Sequence, residues 1–156
     1  MLVPIRETIT LPLPAAKLFG YITSEEGFAS FRGWGPIPGI RAVDVDGSLD
    51  AVGAALRVLN TDGSTHREEV REVTAPRRYA VRIHGLDSVF RHLVAYVDET
   101  WELEQRGEGT HVTRTFTFAL RSVIALPVAL PLGHAAFRLA MRRHHRDLAA
   151  WAAGGP

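Results

Sequence analysis

Alternating apolar and polar positions mark the start of the chain as a strand. Val3, Ile5, Glu7, Ile9 and Leu11 share one face, and Glu7 is its single polar member. Pro12 and Pro14 end the strand. Pro14 suits the first position of a short helix over 15–22 that buries Leu18, Phe19 and Ile22. Ser24 is a favourable N-cap for a second short helix over 25–31. The segment Gly33 to Gly39 is a loop by its glycines and prolines, so its apolar Trp34 and Ile37 are expected to fold back onto the body. Strands follow over 40–45, 54–60, 65–73, 77–84, 94–104 and 112–120, with Asp62-Gly63 as a hairpin signal and 84–92 as an irregular connection. Val97, Glu99, Trp101 and Leu103 share a face of one strand. Val112, Arg114, Phe116, Phe118 and Leu120 share the inner face of the next, with threonines outside. A turn at Gly107-Glu108 sets Trp101 across from Arg114 and Glu99 diagonal to it. The longest periodic element covers 126–151. Leu130, His134, Phe137, Met141 and Leu148 recur there at steps of three and four, flanked by His144 and His145, while arginines and Asp147 fill the rest of the cylinder.

The order is therefore strand, two short helices, six strands, long helix. It predicts an α+β domain over 1–156, with a bent antiparallel sheet of seven strands closed by one amphipathic helix. A curved sheet and a straight helix meet imperfectly. The gap between them is the expected site, and a ligand cavity there should reach at least about 300 Å³.

Composition narrows the possibilities. The chain has 156 residues and a formal net charge of +1, so no global field draws it to nucleic acid. It has no cysteine, which excludes disulfides, thiolate catalysis and cysteine–zinc sites. Its seven histidines show no spacing that converges three ligands, and neither a metal nor a cofactor is expected. The N-terminus lacks a basic leader followed by an apolar core, and the apolar run over 123–132 is shorter than the about 20 residues a spanning helix needs. These features predict a soluble cytoplasmic protein without stable membrane insertion, either a monomer or a homodimer.

Several short motifs stand in a telling order: Leu13-Pro14-Ala15 with Phe19, Trp34-Gly35, Val52-Gly53-Ala54, Asp62-Gly63, Glu68, Ala75-Pro76-Arg77-Arg78-Tyr79, Trp101-Glu102-Leu103 and Gly109-Thr110-His111-Val112-Thr113. With the element order, they resemble the SRPBCC (START-like) superfamily, which includes polyketide cyclases and plant pollen-allergen-type carriers. The likeness is greatest to small bacterial polyketide cyclase/dehydrase-like members. It implies the helix-grip fold and an internal cavity. It does not imply one activity, because function resides in a site and not in the fold. The chain departs from the carriers in one respect: the segment from Gly47 to Gly53 has too few glycines to cradle a phosphate.

Two polar features interrupt the predicted inner surface. Glu99 and Arg114 are either a polar anchor for a ligand or an internal ion pair. His134 breaks the apolar stripe of the long helix. It is a candidate acid–base group, because imidazole titrates near neutrality, or else a satisfied buried histidine. Trp34, Trp101, Phe116, Phe118, Phe137 and Met141 are candidate cavity walls or plain core. His66 and Glu68 pair on one strand face, and either the cavity or the outer surface would suit them. Arg82 and His84 are expected to point outward. The basic run from Arg142 to Arg146 complements a helix C-terminus. The leading expectation is a protein that binds a small hydrophobic or aromatic molecule. The alternatives are a polyketide cyclase or dehydratase using His134 with Glu99 and Arg114, and a partner-binding protein using the outer sheet face.

Overall fold

The structure, a computed structural model, describes residues 1–121 and 126–154; the side chains of Val89, residues 126–130 and Leu132 also lie outside the description. The side chains of Leu130, which opens the predicted helical stripe, and of Pro127, most of the apolar run over 123–132, and the tail residues Gly155 and Pro156 therefore fall outside what is described.

Strand β1 (Leu2–Leu11) leads into helices α1 (Ala15–Ile22) and α2 (Glu25–Ala29). Strands β2 (Ile40–Asp46), β3 (Ala55–Asn60), β4 (Thr65–Thr74) and β5 (Arg78–His84) follow. A 3-10 turn over Val89–His92 falls in the stretch expected to be irregular. Strands β6 (Val94–Arg106) and β7 (Gly109–Leu120) then lead to helix α3 (Leu126–Ala152). The seven strands form one antiparallel sheet in the order β1-β7-β6-β5-β4-β3-β2, with β1 and β2 as its edges. Among the described residues, no helix is long and apolar enough to cross a membrane.

Local chemistry sets these elements. The tight β3–β4 turn takes Gly63 at φ 85°, and the preceding Asp62 carboxylate accepts from the Ser64 amide and hydroxyl. Ser24 caps α2 by accepting from the Gly27 amide at 3.1 Å. Pro14 stands at the N-cap of α1, one position earlier than predicted. Helix α2 stops two residues short of its predicted end. There Ser30 turns its hydroxyl back to the Gly27 carbonyl at 2.6 Å.

The α1–α2 junction is tight. A Cβ on Gly27 would lie 1.9 Å from the Tyr21 carbonyl oxygen. Gly27→Ala is therefore expected to cost about 2 kcal/mol or more as the two helices are forced apart. Thermal unfolding followed by circular dichroism measures this, and an unchanged melting temperature would contradict the packing.

Glu7, the polar exception on β1, holds the long helix. Its carboxylate accepts from Arg138 Nε at 2.6 Å and from Arg142 Nε at 3.2 Å. Burial works to raise the Glu7 carboxyl, but the two arginines outweigh it and hold it below its ordinary value.

Among the described residues the core divides into three patches. The largest packs Leu18, Phe19, Leu56, Tyr79, Trp101 and Leu148 where α1, α2 and the end of α3 meet the sheet. The second joins Ile5, Val97, Phe116 and Met141. The third, Ile37 with Ala136 and Ala140, seals the helix against the loop after α2.

The buried face of α3 differs from the predicted stripe. Among the described residues Ala136, Ala140, Met141, His144, His145 and Leu148 form it, while His134 is only half-buried. Small alanines let the helix approach closely, so the face turns toward them and carries both flanking histidines inward.

Candidate functional site: a cavity with a buried polar wall

The three core patches leave a space between the sheet and α3. It measures about 150 Å³, half the floor of roughly 300 Å³ expected from the sequence. Its wall is mostly apolar and aromatic, from Phe28 and Tyr79 at one end to Phe118 and Phe137 at the other. The half-exposed wall residues Phe31, Pro38, Leu86, Ser88 and Phe90 come from the loop after α2 and the β5–β6 connection, so the space nears solvent there.

Glu99, Arg114, Trp101, Phe116, Phe118 and Phe137 all lie on this wall. Trp101 pairs directly with Arg114 across β6 and β7, and Glu99 pairs with Phe116, which is the register the Gly107 turn predicts. His134, Trp34 and Met141 do not lie on the wall. His134 sits on a different side of α3, and the histidine of that helix that reaches the space is His144. Trp34 is 42% exposed: its backbone pairs with Ile37 in a tight turn, and Ile37 goes inward in its place. Met141 is fully buried against Phe116, in solid core.

Glu99 and Arg114 form a buried ion pair, with Arg114 Nε donating to Glu99 Oε1 at 2.6 Å. Arg114 Nη1 also lies 2.7 Å from His144 Nδ1, and His144 Nε2 lies 2.7 Å from Ser30 Oγ. These contacts fix the tautomer. A guanidinium can only donate, so Nδ1 accepts, and the imidazole proton sits on Nε2. It points at Ser30, whose own hydrogen goes to the Gly27 carbonyl. The relay runs from β6 through β7 and α3 to the end of α2, and ties four elements around the space.

Aromatic rings complete the enclosure. The Arg114 guanidinium carbon lies 4.2 Å from the Trp101 ring centre and 4.7 Å from that of Phe116. The His144 ring stands edge-on to Phe31 and Trp101.

Burial pushes the Glu99 carboxyl up and the Arg114 guanidinium down, and their mutual attraction opposes both changes. The Arg114 guanidinium stays charged, because its ordinary value lies far above neutrality. Burial and the adjacent Arg114 charge hold His144 well below the usual imidazole range, so it is a neutral acceptor. His145, beside it, is lowered to about 4 by burial and by Arg114. Burial also raises the Tyr79 phenol, which donates to the Leu49 carbonyl at 2.7 Å.

On the next strands of the same wall stand Asn60, His66 and Glu68. The His66–Glu68 pair thus faces inward, whereas Arg82 pairs with Asp98 at 2.7 Å on the half-exposed side. His144 escaped the sequence reading because the alanines that place it carry little hydrophobic signal.

A curved antiparallel sheet gripping one long helix around an enclosed space defines the helix-grip class. Residues 3–152 match the family model described as polyketide cyclase / dehydrase and lipid transport, and the chain belongs to that family. The structure is similar to that of Ara h 8.0201, at 17% identity over 99% of this chain and 100% of that one, with a TM-score of 0.76. It is similar to the di-domain ARO/CYC BexL from the BE-7585A biosynthetic pathway, at 16% identity over 99% of this chain and 51% of that one, with a TM-score of 0.74. A truncated norcoclaurine synthase from Thalictrum flavum is also similar, at 14% identity over 95% of this chain and 93% of that one, with a TM-score of 0.69. At these identities the likeness is one of fold. No curated protein sequence matches the chain significantly.

Proposed function

We propose that the protein binds a small apolar molecule of about one aromatic ring in the space between the sheet and α3. The cavity wall carries this reading: a mostly aromatic and aliphatic surface, with its charged groups gathered on one side and largely occupied by each other. An apolar cavity of about 150 Å³ holds one benzene-sized ring.

Two observations disfavour the cyclase or dehydratase alternative. A substrate of several fused rings exceeds this space. His134 is off the wall, and His144 has both ring nitrogens engaged, so neither is free to move a proton on a ligand. The partner-binding alternative would use the outer sheet face. There Arg78 is already shared between Glu72 and Glu102, and Arg82 is held by Asp98.

Calorimetric titration with toluene tests the proposal. Saturable one-to-one binding is expected, and Val97→Phe, which fills the space from β6, should abolish it while leaving the protein folded. The absence of toluene binding in the wild-type protein would refute the reading. So would equal binding by Val97→Phe.

A further inference from the structure

We infer that Glu68 selects the ligand by accepting a hydrogen bond from it, so that the preferred occupant is a single ring bearing a hydroxyl or amine donor. The inference rests on the cavity reading above and deepens it.

Glu68 lies on β4, is 3% exposed and lines the space. One carboxylate oxygen, Oε1, lies 2.9 Å from His66 Nε2. The other, Oε2, is buried and has no hydrogen-bond partner among the described residues. The chain behind it fixes which way the protons point. Asn60 Nδ2 lies 3.2 Å from His66 Nδ1 and donates to Ser64 Oγ at 3.0 Å. An amide nitrogen only donates, so His66 Nδ1 accepts, and Nε2 carries the hydrogen that goes to Glu68 Oε1. Asn60 and His66 therefore hold the carboxylate in place and leave one acceptor over.

Other polar groups on the wall are already engaged. Arg114 binds Glu99 and His144, His144 binds Ser30, and Tyr79 binds the Leu49 carbonyl. A buried carboxylate oxygen left unpaired is costly, and native interiors rarely keep one without a partner. A donor on the ligand supplies that partner. A ligand carboxylate or carbonyl in the same place would set acceptor against acceptor.

The test compares p-cresol with 4-fluorotoluene, a ring of nearly the same shape without the donor, by calorimetric titration of the wild-type protein. Benzylamine serves as the amine counterpart. The hydroxyl or the amine is expected to bind about tenfold or more tighter than the fluoro compound, the range of a hydrogen bond to a charged group. Whichever donor binds tighter assigns the preferred one. Glu68→Gln keeps the shape but turns an amide NH₂ toward the space once its oxygen accepts from His66. In that variant the donor advantage should vanish, and benzaldehyde, an acceptor, should gain on p-cresol. Binding of 4-fluorotoluene as tight as that of both donors in the wild type overturns the inference and leaves the cavity reading intact. Binding of none of the rings overturns both. The wild-type comparison decides the matter even if Glu68→Gln fails to fold.

Discussion

Glu99→Leu is expected to lower stability by about 3–5 kcal/mol, the range for removing one partner of a buried ion pair. The loss exceeds the value of the lost contact. Arg114 is 4% exposed, and with Glu99 gone its guanidinium would keep only one imidazole nitrogen and three ring faces. Arg114→Met is expected to do comparable harm for the opposite reason: it strands the Glu99 carboxylate, whose pKa burial already raises, and the His144 acceptor. The double variant Glu99→Leu/Arg114→Met removes both charges together. It should recover more than half of either loss, with a residual cost of about 1–3 kcal/mol for the unpaired His144 Nδ1. Urea unfolding of the three variants measures this. Single losses below about 1 kcal/mol, or losses that simply add, would mean that water reaches the pair.

Mild acid should destabilise the protein before the carboxylates that their partners hold low begin to protonate. His144 and His145 both have folded-state values below the ordinary 6.5. The unfolded chain therefore binds more protons than the folded one as pH falls below that value, and stability falls with it. Above pH 6.5 the contribution is complete. For His145, lowered to about 4, the loss by pH 4 is about 3 kcal/mol at roughly 1.4 kcal/mol per unit. His144 adds to this loss. Glu99, raised by burial, works in the opposite sense, and the carboxyls of Glu7, Asp62, Asp87 and Glu104, all lowered, contribute only below about pH 5. The decline between pH 6.5 and 5 thus belongs to the two histidines. His145→Leu should flatten it by about half, since His145 Nε2 is buried with no hydrogen-bond partner among the described residues, and its loss breaks no bond to them at that atom. A stability profile that is level from pH 7 to 5 would contradict the burial of both rings.

The strands were readable because each buried position is spaced two from the next, and this pattern survives even when the buried residue is Glu99 or Arg114. The register of β6 and β7 followed from one glycine turn. The long helix was readable as a helix but not as to its face. Leu130 and Phe137 dominate a hydrophobic stripe, whereas Ala136 and Ala140 settle the approach by being small, and smallness has no period. Hence the sequence pointed to His134 where the structure places His144. On β4 the inward positions near the cavity are His66, Glu68 and Val70. With one apolar residue in three, hydropathy could not tell the inner face from the outer. Trp34 misled in the other direction, because a large ring on a loop attracts attention while its smaller neighbour Ile37 supplies the burial.

The two outermost strands bear on self-association. On β1, Pro4 has no amide to offer a further strand. On β2, the register slips between Ile40 and Ala42, and Arg41, Asp44 and Asp46 stand exposed along the remainder. Incoming backbone would meet a missing donor on one rim and a kinked, charged ribbon on the other. Both rims thereby disfavour fibril-like growth by strand addition, so an incompletely filled interior need not come with a sheet that templates aggregation.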